Sequence, residues 1–294
     1  MANGILIIDK PEGWTSMDVC AKLRGALHEK RVGHGGTLDP MATGVLPVFF
    51  GRATRAVEYA TNSEKEYVTA LRLGVVTDTQ DTTGRVLEER PVGEVGDQVE
   101  AVLKKFRGRI EQIPPMYSAI KVQGKKLYEL ARKGEEVERK PRSVTIFALE
   151  LLPEAPFGWK AEENTLFLRV RCSKGTYIRS LCHDIGQALG CGGCMAALRR
   201  VEAGGVTLAE SVPLEAVLGC EHPEALLRPV DGCFAQYPAL TIRGRALFKA
   251  KNGNVFAADA ADGRYRVYDD TGAFLLLGCA ERGQMTTVKS FFEV

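Results

Sequence analysis

No stretch of the 294-residue chain approaches the ~18 consecutive apolar residues that a membrane helix needs. The apolar run Ile5 to Ile8 is stopped by Asp9 and Lys10, too early for a secretory core. These absences predict a cytoplasmic protein with no membrane contact, whose eight cysteines stay reduced. A second C-x₂-C pair is missing as well. Cys191-Gly-Gly-Cys194 has metal-ligand spacing, and a zinc site would need it to converge with Cys182 and His183. Cys182, however, falls on the apolar face of a predicted helix, where a free cysteine behaves as a small hydrophobe. No metal is therefore expected. Strong charge of one sign is lacking: 39 Lys and Arg against 37 Asp and Glu leave +2, so any grip on a polyanion must come from local patches. Nor does a Gly-Lys-Ser/Thr follow Gly33-His34-Gly35-Gly36, and an aspartate at 39 would repel phosphate, which argues against a nucleotide-hydrolysing loop.

The hydrophobic share of 45% and charged share of 26% are those of an ordinary globular protein. A chain this long forms one large or two unequal domains and needs no disulfide or metal staple. The densest basic patch is Lys121 to Arg142, with eight Lys or Arg against four Glu. By itself such a run reads as a solvated face.

One stretch stands apart: Gly33-His34-Gly35-Gly36-Thr37-Leu38-Asp39-Pro40-Met41-Ala42-Thr43-Gly44-Val45-Leu46-Pro47. Its glycines and prolines predict a shaped loop rather than helix or strand. Pro40 pushes Asp39 into an extended backbone and so presents its carboxylate. An isolated Asp-Pro would be no more than a turn. The whole string, though, resembles the catalytic loop of the bacterial tRNA pseudouridine-55 synthases, the TruB family, with every fixed position of Gly-His-x-Gly-x-Leu-Asp-Pro-x-Ala-x-Gly-x-Leu-Pro matched.

That resemblance implies an α+β protein: a mixed, mostly antiparallel sheet flanked by helices over residues 1–232, then a small all-β, PUA-like RNA-binding domain over 233–294. It implies isomerisation of uridine 55 in the T-loop of tRNA, by base flipping and by breaking and re-forming the glycosidic bond, without a cofactor. Asp39 would be the catalytic residue and His34 would enter the RNA where the uridine leaves, with Gly35 and Thr37 beside it against the substrate. Lys65-Glu66-Tyr67 resembles the Lys-x-Tyr motif whose tyrosine stacks on the target base. Ser173-Lys174-Gly175-Thr176-Tyr177-Ile178-Arg179 resembles the segment whose arginine pairs with the catalytic aspartate, and places Lys174 and Tyr177 near substrate. Leu198-Arg199-Arg200 and the opening Asp9-Lys10-Pro11-x-Gly13 match two further motifs, so Arg199, Arg200 and Lys10 are substrate-binding candidates. The basic run, with Lys125, Lys126 and Arg132, matches a thumb that folds over the tRNA arm. A monomer with tRNA as its only partner is expected. The rival reading is an RNA-binding protein that keeps the grip and lacks the chemistry.

Local patterns fill in the scaffold. Gly4 to Asp9, Val45 to Phe50, Glu66 to Leu73 and Thr165 to Cys172 read as strands, the last alternating cleanly. Ser16 is the expected N-cap of a helix carrying Val19, Leu23 and Leu27 on one face. Helices are also expected at Ala53 to Ala60, around Val99, Val102, Leu103 and Phe106, from Gly124 to Gly134, and from Ile178 to Leu189. A strand should follow the Pro114-Pro115 pair. Asp78 to Gly84 looks like a calcium loop but misplaces the glycine and lacks the acidic third position, so it reads as a shaped loop. Turn signals at Asn252-Gly253, Asp262-Gly263 and Thr271-Gly272 suggest a C-terminal module of short strands.

Overall fold

The structure is a computed structural model that describes residues 2–122 and 124–292. In chain order the first elements are β1 (Gly4–Lys10), α1 (Ser16–Ala26), β2 (Val32–His34), β3 (Thr43–Phe50), α2 (Val57–Thr61), β4 (Lys65–Leu73), β5 (Val75–Thr77), β6 (Val86–Glu89), α3 (Gly96–Phe106) and β7 (Gly108–Gln112). There follow β8 (Lys121–Val122), β9 (Lys125–Lys126), α4 (Leu127–Ala131), β10 (Arg142–Leu152), β11 (Thr165–Cys172), α5 (Ile178–Ala188), β12 (Gly193–Ala203) and β13 (Val206–Thr207). The chain closes with β14 (Val212–Pro213), α6 (Leu214–Leu218), β15 (Ala239–Thr241), α7 (Gly244–Lys251), β16 (Phe256–Ala257), β17 (Gly263–Tyr268), β18 (Phe274–Glu281) and β19 (Gln284–Ser290).

Two compact units emerge, and neither is continuous in sequence. The first comprises Met1–Pro40, Leu46–Asn62 and Ala209–Val294; the second, Met41–Val45 and Ser63–Leu208. In the first unit β1 lies between β14 and β3; β14 runs parallel to β1 with Ile8 opposite Val212, and β2 pairs antiparallel with β3. Leu6 and Ile8 of β1, Val19, Leu23 and Leu27 at the α1 end, Leu46, Val48 and Phe50 of β3, and Leu214 and Val217 of α6 share one core. Each fully buried aliphatic side chain there stabilises the fold by about 1.5–3 kcal/mol. The C-terminal part of the same unit forms its own sheet in the order β15-β17-β18-β19-β16. One helix, α7, accompanies those strands, and the turn rhythm of the sequence did not reveal it.

In the second unit the order β12-β4-β11-β10-β7 is antiparallel throughout. The first residues of β3, Thr43 and Gly44, add a parallel pair to β12. A mixed, mostly antiparallel sheet is thus as expected. β11 alternates in its second half: Leu168, Val170 and Cys172 are buried and Arg169 and Arg171 point outward to Glu66 and Glu64, whereas Phe167, on the face of the arginines, is buried too. Helix α5 backs this sheet, with Cys182 3.8 Å from the Thr69 hydroxyl.

Three local expectations need correction. Ser16 is not the N-cap of α1. Thr15 is, and it forms a capping box with Asp18, a pairing that the Thr-x-x-Asp spacing carried all along. The double proline is followed by bends rather than a strand, and only Lys121–Val122 is extended, because Pro114 and Pro115 offer no N–H and the carbonyls of Pro114 and Tyr117 accept from arginine side chains instead. The glycine-rich stretch is not loop throughout: Gly33 and His34 lie on β2, and Thr43 to Pro47 on β3.

Candidate active site

The loop that carries Asp39 is held through its backbone on both sides. Before it, the Ser16 hydroxyl accepts from Leu38 N at 2.8 Å and donates to Leu38 O at 3.2 Å. After it, the Pro40 carbonyl accepts from Gly13 N at 2.8 Å and from Lys10 Nζ at 3.3 Å. Lys10 is fully buried and also donates to the carbonyls of Pro11 and Trp14, at 2.8 and 2.7 Å. A buried ammonium must be satisfied by acceptors, and here they are the turn and the loop. Lys10, expected to bind substrate, thus lies inside the fold as a tie for the loop. Asp39 itself is half-buried. The backbone on either side of it is held, so little main-chain freedom remains to be lost when a reacting group arrives.

Upstream, His34 stands opposite Val48 on β3, and Gly35 N donates to Pro47 O at 2.8 Å. Gly35 is required by close approach: a Cβ there would lie 2.8 Å from the Cβ of Ala60 and 3.2 Å from the Phe49 ring. Thr37 is exposed at the loop's surface.

The second unit carries the other motif residues. Tyr67 on β4 is buried, in register with Val170 on one side and Arg200 on the other. Two residues earlier, on the same face, Lys65 is buried and donates to Ser63 O at 2.6 Å. Burial first, then the nearby charges of Arg200 and Lys174, pull its pKa down to about 8, against a small opposing effect of Cys172. Arg200 is fully buried, with Nε donating to Val45 O at 2.7 Å. Arg199 donates to the Thr43 hydroxyl at 3.1 Å and lies 5.2 Å over the Phe157 ring. Both arginines, expected to meet substrate, therefore hold the start of β3. Gly44 makes that possible, because at φ +102 its missing side chain leaves room for the Arg200 backbone.

Arg179 lies in the first turn of α5, buried. It donates to Thr79 O at 3.1 Å and Tyr117 O at 2.8 Å, and its Nε is 3.7 Å from Asp81 Oδ2. Asp81 is buried too, and its Oδ1 accepts from the Thr79 and Thr83 hydroxyls and from Thr83 N. The false calcium loop is thus an arginine cradle. Gln112 was missed altogether: it accepts from Tyr177 N at 2.8 Å and donates to Tyr177 O at 3.0 Å, clamping the residue that opens α5. Its position, a glutamine ending a strand, gave no signal. Lys174 is exposed on the turn before α5.

In the thumb-like segment Met116, Leu127 and Leu130 form a separate small core. Lys125 and Arg132 are exposed, and Lys126 Nζ and Arg132 each lie 5.3 Å from the Tyr128 ring. Among the described residues, no group of three or more His, Cys, Asp or Glu is placed to hold a metal ion. Burial pushes the Cys182 thiol up to about 12 and the Cys194 thiol to about 11, which favours protonated thiols over ligands.

Residues 24–178 match the family described as TruB family pseudouridylate synthase (N terminal domain), and residues 179–234 match the tRNA pseudouridylate synthase B C-terminal domain. The chain belongs to the TruB family. Its relatives include a tRNA pseudouridine synthase B of Stutzerimonas stutzeri, 46% identical over 94% of this chain and 91% of that one. Another, of the same name, from Clostridium kluyveri is 43% identical over 98% and 99% of the two chains. A solved Cbf5-Nop10-Gar1 complex contains a chain with TM-score 0.72 and 28% identity, covering 99% of this chain and 85% of that one. An H/ACA ribonucleoprotein bound to a substrate RNA containing 2′-deoxyuridine gives a TM-score of 0.71 at 25% identity, over 99% and 86%. The TruB matches reach past residue 200, so the motifs of the loop, of β4 and of α5 all fall within them.

Proposed function

We propose that this chain isomerises uridine to pseudouridine at position 55, in the T-loop of tRNA. The C1′–N1 bond breaks, the base turns, C1′ bonds to C5, and a proton leaves C5 while N1 gains one. Atoms and electrons balance without an added group or oxidant. Asp39 is the reacting carboxylate, suited to stabilise or attack an electron-poor C1′. Tyr67 holds the flipped base, Arg179 supplies fixed positive charge for the carboxylate, and His34 fills the gap the uridine leaves. Lys174 and Tyr177 contribute to substrate binding, while Lys10, Arg199 and Arg200 act by positioning. Residues 1–232 form the catalytic domain and 233–294 a PUA-like RNA-binding domain. The protein works as a cytoplasmic monomer, without metal or cofactor. No helix among the described residues is long and apolar enough to cross a membrane.

The observation that carries this reading is the double pinning of the backbone flanking Asp39, at Leu38 by Ser16 and at Pro40 by Gly13 and Lys10. An RNA chaperone without chemistry has no use for a carboxylate on so firmly held a loop. Asp39→Asn keeps the volume and removes the charge. The expected outcome is folded protein that binds tRNA normally, with single-turnover tritium release from uracil-C5-labelled tRNA slowed on the order of ten-thousand-fold. Turnover within about tenfold of the parent, a loss of only ~1.4 kcal/mol, would remove Asp39 from the chemistry.

A further inference from the structure

Helix α2 has five residues, Val57–Thr61, no side-chain N-cap and no fully buried residue. So short a helix cannot fix its own position in water; its neighbours must. On one side is the loop. A Cβ on Gly33 would touch Val57 at 3.6 Å, and one on Gly35 would be driven to 2.8 Å from Ala60. On the other side is the C-terminal module. Tyr59 meets the fully buried Phe234 edge to face, with ring centroids 4.9 Å apart. Phe234 in turn packs against Phe291 at 5.5 Å and Phe274 at 6.0 Å, and those two stack at 5.3 Å. Lys289 Nζ reaches Glu58 at 2.6 Å, and Arg55 donates to both the carbonyl and the hydroxyl of Ser290.

We infer that α2 is a strut through which the C-terminal module sets the position of the His34 loop, with Tyr59 and Glu58 as positioning residues for base flipping. Close packing makes the coupling stiff. Gly35 touches Ala60 with no atom to spare, so a displaced α2 must carry Gly35, and with it His34, away from the strand pairing that aims the histidine. Aromatic edge contacts and the flanking ion pair hold the far side of the same helix. The inference rests on the role proposed above for His34. It assigns the C-terminal module a mechanical task in addition to any grip on RNA.

The test uses the full chain and a T-arm hairpin RNA with a fluorescent purine beside the target uridine, so that flipping is read apart from conversion. Tyr59→Leu keeps apolar bulk and loses the aromatic edge. It should slow the fluorescence rise and single-turnover conversion together by about tenfold, with hairpin affinity within about twofold of the parent. Glu58→Lys and Lys289→Glu should each slow flipping about threefold, and the two combined should restore it, since the pair then re-forms reversed. Thermal midpoints of the same variants separate the strut from a merely stabilising pair, whose loss and rescue would move stability without moving the flipping rate. Parental flipping in Tyr59→Leu, or a double variant no better than the singles, overturns the strut. Asp39→Asn is run alongside: it should flip at the parental rate without conversion. Were it to convert, the proposed chemistry would fall while the flipping comparison still decided the strut.

Discussion

The Asp39 loop and the thumb-like segment, which carries the short elements β8, β9 and α4, are built in opposite ways. Around Asp39 the backbone is tied on both sides, by the Ser16 hydroxyl and the Lys10 ammonium, and the tying groups are buried. Around Lys125 the charges face solvent, and the packing beneath is a core of three buried residues. Chemistry requires a group held near its reactive position before substrate arrives. Capture of a polyanion requires only positive charge within reach, because counterion release is indifferent to fine geometry. On the proposed function, the two constructions follow those two demands.

Breaking the ties should therefore damage rate, and neutralising the thumb should damage affinity. The largest effect is expected from Lys10→Met, which removes the ammonium shared by the carbonyls of Pro11, Trp14 and Pro40, of which Pro40 O keeps Gly13 N. Single-turnover conversion should fall about a hundredfold and stability by about 2–4 kcal/mol, with tRNA affinity nearly unchanged. Ser16→Ala removes both bonds to Leu38 and should cost about tenfold in the same assay. Equal rates in both variants would mean that the loop keeps its shape unaided. Next comes the thumb: Lys125, Lys126, Arg132 and Lys133 replaced together by Gln should weaken tRNA binding and flatten its salt dependence by up to about four contacts. An unchanged salt slope would leave the run a solvated face. Conversion at saturating enzyme should stay within about threefold of the parent.

The smallest effect concerns α5, the helix that carries Arg179. Burial raises the Asp184 carboxyl to about 6. The folded state therefore holds that proton more tightly than the unfolded chain, and stability declines as pH rises from about 4 to about 6, then levels. Asp184→Asn should remove the penalty and stabilise the protein by about 1 kcal/mol above pH 7, a figure reduced from the full shift because the group is partly exposed. Thermal midpoints at pH 4 and 7.5 check it. The gain must be larger at 7.5, and a gain equal at both would exclude the carboxyl as its cause.

Much of the scaffold was legible because its causes are local. Alternation in Thr165 to Cys172 and the apolar stripe of Ile178, Leu181, Cys182 and Ile185 place the strand and helix without reference to anything distant. The motif strings likewise placed the chain in its family. What could not be read were partnerships across long separations. Ser16 looks like a cap until Leu38 arrives beside it, and Arg200 looks like a substrate ligand until Val45 takes its Nε. Lys10, Gln112 and Asp81 are of the same kind. Polar side chains at those positions suit solvent equally well, and only the closed fold shows that they are buried with backbone groups to satisfy.

The division of the chain also bears on how the protein is made. β1 and α1 belong to a core completed by Leu214 and Val217, and β1 finds its parallel partner only at Val212. A ribosome thus delivers the opening segment long before the residues that cover it. Most of the second unit, Ser63–Leu208, is by contrast one uninterrupted stretch with its sheet partners close at hand. During synthesis the middle of the protein can be finished while its beginning still waits for its end. The nascent chain therefore carries Leu6, Ile8, Val19 and Leu23 covered only by one another and by β3 through most of translation, and the part of this core that Leu214 and Val217 later close is where a chaperone would first be needed.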